Sequence, residues 1–184
     1  MRLYAITGGG GRIAERVEEA LAAGADQVVV REPELPAGLH SGRCILHVGM
    51  AGVAALLDAG TLPAGLHLPA RESVREWRRR WPGLLGASAH DPTEAAEKRA
   101  AGADYVFLSP IFEARHGRPA LGTRDLAGCV ALGGVTPERV APCRDAGAAG
   151  VAVLGGIWHA PDGIPAAIAR YLATLAQYDH TTGS

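Results

Sequence analysis

The chain has 184 residues, with 18 Lys+Arg against 19 Asp+Glu, a formal net charge of −1 and 48% hydrophobic residues. This length fits one domain with a sizeable buried core, expected over residues 1–178 and followed by a polar tail at 179–184. The near-neutral balance argues against a nucleic-acid-binding protein, which shows a basic excess or stripe, and no segment approaches the ~18–20 apolar residues of a membrane span.

Strands are expected at 3–7, 27–31, 43–48, 65–68, 84–88, 105–109, 129–132 and 150–154. Helices are expected at 12–23, 51–58, 73–80, 93–101, 137–146 and 164–176. The strands are short continuous apolar runs, the pattern of parallel strands covered on both faces. A phrase recurs at their entry: Ala23-Gly24-Ala25-Asp26, then Ala101-Gly102-Ala103-Asp104, then Ala146-Gly147-Ala148-Ala149, with Ala59-Gly60 a looser copy. Each reads as a helix stopped by glycine, which tolerates the left-handed conformation at a helix end. The connections at 32–42 and 122–128 have room for a turn of helix at most. Eight alternating units predict an α/β fold, a compact (β/α)8 TIM barrel with shortened second and sixth helices; an open doubly wound sheet is the second choice. Shortened helices leave barrel flank uncovered, which predicts a homodimer.

The three cysteines, Cys44, Cys129 and Cys143, are odd in number and far apart, so neither a disulfide framework nor a zinc site is indicated; they read as core filler. Residues 1–7 reach glycine too early for a signal-peptide apolar region, and a reducing cytoplasm is the expected location. The run Arg78-Arg79-Arg80 reads as a solvated helix face.

In such a barrel the chemistry lies at the carboxyl ends of the strands. That rule selects Arg31, Ser88, His90, Ser109 and the pairs Gly133-Gly134 and Gly155-Gly156. Loops after the last two strands often form a phosphate site, because missing side chains let backbone amides approach the oxygens. Thr136-Pro137-Glu138 then reads as a helix start, which adds free amides near an anion; the alternative is that both pairs are only tight turns. The planar fork of Arg31 suits a carboxylate or phosphate, against a structural ion pair with Glu32 or Glu113. His47 and His67 read as hydrogen-bonded residues inside the barrel; His40, His159 and His180 read as solvated; His90 reads as site or turn. His116 lies in the polar loop Glu113-Ala114-Arg115-His116-Gly117-Arg118. Imidazole suits proton transfer near neutral pH, and the flanking arginines would attract an anion and favour a neutral base. A solvated loop histidine is the equal alternative.

Seven phrases in order, Leu3-Tyr4-Ala5-Ile6-Thr7, Val30-Arg31-Glu32, Gly65-Leu66-His67-Leu68, Gly86-Ala87-Ser88-Ala89-His90, Gly102-Ala103-Asp104-Tyr105-Val106, Ser109-Pro110-Ile111-Phe112 and Ala131-Leu132-Gly133-Gly134-Val135, resemble the thiamine phosphate synthase/TenI superfamily. The resemblance spans residues 3 to about 176 and implies a compact (β/α)8 barrel. It implies one of two activities. The synthase joins a pyrimidine diphosphate to a thiazole phosphate, with magnesium on the leaving pyrophosphate. The TenI branch moves a proton on a thiazole carboxylate phosphate so that the ring becomes aromatic. Ser88, Arg31 and the glycine pairs match positions that contact phosphate groups in that family.

Departures from the synthase pattern are specific. Its Arg-Glu-Lys is here Arg31-Glu32-Pro33, its Asn-Asp is Val48-Gly49, and its second metal aspartate is missing from Pro69-Ala70-Arg71-Glu72. Its Thr-x-Thr-Lys loop is replaced by Glu113-Ala114-Arg115-His116. Magnesium takes hard oxygen ligands, so these losses argue against a metal-assisted synthase. The TenI histidine at the sixth strand is also replaced, by Pro110, which cannot transfer a proton. The leading expectation is a TenI-like thiazole tautomerase with no cofactor and no metal, acting on a small phosphorylated thiazole. Its expected proton carrier is His116, with Glu113 or His90 as second candidate; Arg31, Ser88, Ser109 and the two glycine pairs would bind substrate. A non-catalytic phosphate-ligand binder and a synthase are the alternatives.

Overall fold

A computed structural model describes residues 1–176; the expected tail at 179–184, with His180, lies outside them. Eight parallel strands close on themselves in the order of the sequence. They are β1 (Arg2–Ile6), β2 (Gln27–Val30), β3 (Ile45–His47), β4 (Gly65–Leu68), β5 (Leu84–Ala89), β6 (Tyr105–Leu108), β7 (Val130–Leu132) and β8 (Gly150–Val153). Helices α1 (Ile13–Ala22), α2 (Val53–Asp58), α3 (Val74–Arg80), α4 (Pro92–Ala100), α5 (Val140–Asp145), α6 (Gly155–Trp158) and α7 (Ile164–Ala176) lie outside. The fold is therefore a (β/α)8 barrel. The second connection shrinks to one 3-10 turn at Ser41–Arg43, and no helix joins β6 to β7. The helix expected over 137–146 divides into a 3-10 turn, Pro137–Arg139, and α5.

The recurring phrase builds one device. At Gly24, Gly60, Gly102 and Gly147 the backbone φ is positive. The glycine N–H bonds three residues back and the next N–H five residues back, as in Ala25 N to Ala20 O at 3.1 Å and Ala103 N to Lys98 O at 3.1 Å. This is the Schellman end, which satisfies two orphan helix carbonyls. The aspartate of the phrase then latches the neighbouring strand: Asp26 Oδ2 accepts from Leu3 N and Asp104 Oδ2 from Leu85 N, each at 2.7 Å. Ala149 lacks the carboxylate, and only its amide bonds across, to Cys129 O at 2.7 Å.

Arg78 corrects the expectation of a solvated basic face. Its guanidinium donates to Asp104 Oδ2 at 2.6 Å, to Gly102 O and to Gly83 O at 2.7 Å, tying α3 to the entry of β6. Arg80 stacks on Trp77. The three cysteines are buried, as a filler role requires.

Strand alternation divides the core in two. One set of side chains packs between strands and helices, and the other fills the barrel: Tyr4, Ile6, Val29, Ile45, Tyr105, Phe107, Val130 and Ala152. Large and small residues face each other across neighbouring strands. Gly86 pairs in register with Tyr105, and a Cβ on Gly86 would stand 1.9 Å from the ring's Cζ. Tyr105 therefore lies over a position that only glycine leaves open.

Candidate functional site

Each inward-facing series runs on past the strand end, and that continuation makes the site. Val29 leads to Arg31, Ile45 to His47, Gly86 to Ser88 and His90, and Phe107 to Ser109. They converge on a cavity of about 230 Å³ at the carboxyl end of the barrel, floored by Ile6, Val29, His67, Phe107 and Leu154. Three arginines (Arg31, Arg115, Arg118) and four histidines (His47, His67, His90, His116) line it, and neither aspartate nor glutamate does.

At the floor, His67 is buried. Its Nε2 lies 2.9 Å from Ser88 Oγ and its Nδ1 lies 3.1 Å from the Tyr105 hydroxyl. Burial, followed by the charges of His47 and Arg31, pushes the His67 pKa down to about 3, so the ring is neutral. Burial also pushes the Tyr105 hydroxyl well above its ordinary range. One neutral ring holding one hydroxyl on each nitrogen must donate to one and accept from the other.

His47 stacks near His67, with ring centroids 6.1 Å apart, and its Nδ1 accepts from Gly49 N at 3.2 Å. Burial, then Arg31 and Arg71, lower its pKa to about 4. The neutral ring therefore carries its proton on Nε2. His90 is the complement, because its Nδ1 donates to Ser109 O at 3.2 Å, which leaves Nε2 as the lone-pair nitrogen of the neutral ring.

His116 sits in a tight hairpin closed by reciprocal 3.0 Å bonds between the backbones of Arg115 and Arg118. Both central residues have positive φ, 51° at His116 and 75° at Gly117, the signature of a type I′ turn. Arg115 Nε donates to His116 Nε2 over a long 3.4 Å.

Six of the ten expected site residues line this one cavity: Arg31, Ser88, His90, Ser109, His116 and Gly133. Arg31 makes neither of the ion pairs weighed for it. Glu32 Oε1 accepts from Gly9 N, and Glu113 pairs with Arg139. Glu113 lies outside the lining, against Gly134, where a Cβ would meet its Cγ at 2.6 Å. Gly133 and Gly134 both have positive φ and form the turn after β7. Gly155 and Gly156 do not form a second such turn; they are exposed and open α6, whose first amides have no intrahelical partner. His47, Arg115 and Arg118 were not among the expected site residues. The alternation that carries Val29 to Arg31 is the signal that finds His47.

The synthase's magnesium does not fit these residues. Val48-Gly49 and Pro69-Ala70-Arg71-Glu72 follow β3 and β4, and the one carboxylate there, Glu72, accepts from Trp77 Nε1 at 3.1 Å and does not line the cavity. Among the described residues no group of three or more His, Cys, Asp or Glu could hold a metal.

A family model described as thiamine monophosphate synthase, TMP-TENI, matches residues 3–157. The chain belongs to this family. The TMP-TENI chain is 34% identical over 173 residues to the thiamine-phosphate synthase of Methanoculleus marisnigri, covering 75% of this chain and 76% of that one. It is 30% identical over 197 residues to the thiamine-phosphate synthase of Methanoregula boonei, covering 90% and 89%. In fold it resembles the solved structure of a thiamine phosphate pyrophosphorylase from Pyrococcus furiosus, with a TM-score of 0.77 at 21% identity over 96% of each chain. Membership of the TMP-TENI family of thiamine biosynthesis is thereby established for this barrel.

Proposed function

We propose that this TMP-TENI chain is a metal-independent thiazole tautomerase, isomerising a phosphorylated thiazole carboxylate to its aromatic form. The observation that carries the reading is a mouth lined by three arginines and four histidines and by no carboxylate. Such a lining attracts an anion, offers imidazole bases and supplies no carboxylate for a divalent cation.

Arg31 takes the substrate carboxylate with its fork, and the phosphate lies against the Gly133-Gly134 turn and the opening amides of α6 at Gly155-Gly156. Ser88 and Ser109 orient the ring. His116 removes the ring proton and returns it to the exocyclic carbon, with His90 as the second candidate. In the neutral His90 ring the free lone pair is on Nε2, and in neutral His47 Nε2 carries the proton. Aromatisation supplies the driving force, and a positioned base contributes about 10²–10⁴-fold. The protein acts in the cytoplasm as a homodimer, using the two flanks left without a helix; a monomeric mass by light scattering would contradict that assembly.

The test follows aromatic thiazole formation in EDTA. Turnover is expected without metal and is expected to fall in His116→Ala. Magnesium-dependent thiamine phosphate formation from the two synthase substrates would overturn the reading. The names of the relatives favour that synthase alternative. Saturable binding of thiazole phosphate with no turnover would support the non-catalytic binder instead.

A further inference from the structure

The turn after β7 sorts its carbonyls from its amides. Four consecutive carbonyls each accept a bond: Leu132 O from Ile111 N at 3.0 Å, Gly133 O from Phe112 N at 2.9 Å, Gly134 O from Arg139 Nη1 at 2.7 Å and Val135 O from the Tyr171 hydroxyl at 2.9 Å. Across each planar trans peptide stands the next residue's N–H, so a tethered carbonyl aims an amide the opposite way. The amides so aimed are those of Gly133, Gly134, Val135 and Thr136, and none has an acceptor among the described residues. Successive unbonded amides in a turn suit an anion.

Two of the four tethers are side chains. Arg139 carries a charge of its own and also pairs with Glu113. Tyr171 is neutral, belongs to α7 and is only 2% exposed, outside the cavity lining. Burial pushes its pKa up to about 12, so the hydroxyl keeps the proton that it donates. The same hydroxyl bears on residue 156. A Cβ on Gly156 would stand 2.6 Å from Tyr171 Oη, and the backbone there has no positive φ. The demand for glycine at 156 therefore comes from contact, chiefly with the tyrosine. One phenol oxygen thus ties the turn after β7 to the opening of α6.

We propose that Tyr171 is a positioning residue for phosphate recognition. From outside the barrel its hydroxyl fixes the last peptide of the turn, and the amides of Gly133 to Thr136 are then held ready for the phosphate before it arrives. Amides already in place bind an anion without the cost of ordering the turn. The inference rests on the reading above, which seats the substrate phosphate at this turn. Tyr171 touches no ligand itself and acts through the Val135 carbonyl and through Gly156.

The test is calorimetric titration of the full chain with thiazole phosphate and with the same thiazole alcohol lacking the phosphate. In Tyr171→Phe the affinity for thiazole phosphate is expected to fall about threefold to tenfold, the worth of one neutral hydrogen bond. Affinity for the alcohol is expected to stay as in the wild type, a split that a general loosening of the fold would not produce. Urea midpoints test the contact itself. Gly156→Ala is expected to lower the midpoint, and to lower it less in a Tyr171→Phe background, where Oη is gone. A phosphate preference that persists unchanged in Tyr171→Phe, an equal loss of both ligands, or an equal Gly156→Ala penalty in both backgrounds overturns the proposal. A wild type that binds the two thiazoles equally sinks the phosphate seat itself, and the proposal with it. No turnover enters these measurements, so an inactive protein that shows the split sinks the tautomerase reading and leaves the proposal standing.

Discussion

Ser88 Oγ lies 2.9 Å from His67 Nε2, and this pair joins the open mouth to the sealed floor of the barrel. Behind it the Tyr105 hydroxyl holds the other ring nitrogen at 3.1 Å. Ser88 belongs to the cavity lining, whereas Tyr105 is only 6% exposed. The chain Tyr105–His67–Ser88 therefore fixes the direction of a hydroxyl that a ligand would meet.

Glycine at position 86 is what allows this chain to exist. In Gly86→Ala the new methyl would meet the Tyr105 ring, and the hydroxyl would be drawn off His67. A destabilisation of about 1–3 kcal/mol is expected from overpacking, read as a lower urea midpoint. Gly122→Ala, where a Cβ has open space around it, bears a positive φ of 73° and is expected to lose only the smaller strain of that backbone.

The two neutral histidines give the protein an acid-sensitive stability. Folded His67 titrates at about 3 and His47 at about 4, against 6.5 ordinarily. Between those values the unfolded chain binds protons that the folded chain does not. Stability therefore rises with pH across this window and is complete above 6.5. Each histidine contributes a slope of at most about 1.4 kcal/mol per pH unit. Urea midpoints measured from pH 7.5 down to 4.5 are expected to fall, and to fall less steeply in His67→Gln.

His116 separates turn stability from chemistry. Asparagine accepts a φ of 51° better than histidine does, so His116→Asn is expected to keep or raise the melting temperature. The same change removes the imidazole and is expected to lower thiazole aromatisation by about 10²–10⁴-fold. His116→Val is expected to lower both, because a β-branched residue resists the left-handed region.

Arg78 and Arg79 are neighbours in sequence with different consequences. Arg78→Ala removes donors from Asp104, Gly102 O and Gly83 O and is expected to cost about 2–3 kcal/mol in chemical denaturation. Arg79→Ala is expected to change stability by less than about 0.5 kcal/mol, as surface substitutions usually do.

Much of the site is legible once the alternation is followed. Arg31, His90 and Ser109 each stand one position beyond a strand and Ser88 at the end of β5, and the cavity gathers them. His47 and His67 are correctly read as barrel residues, yet that reading hides their place at the mouth and floor of the site. The pairing of Glu113 with Arg139 is not legible, because the two lie 26 positions apart in sequence.

Sequence alone determines the eight short apolar runs, the glycine-terminated helices and therefore the closed barrel, since hydrophobic period and helix stops are local properties of the chain. It also shows that the aspartates of the synthase pattern are absent after β3 and β4, which two short loop sequences reveal. Tertiary structure alone decides which polar side chains meet. The register of Gly86 against Tyr105 sets the floor, and the hairpin at His116 sets the rim. The pairing of Glu113 with Arg139, set against Arg31, which has no ion-pair partner among the described residues, decides where charge is left at the cavity. Those contacts join residues far apart in the chain, and distance through space, which determines both hydrogen bonding and Coulomb energy, is not written in sequence separation.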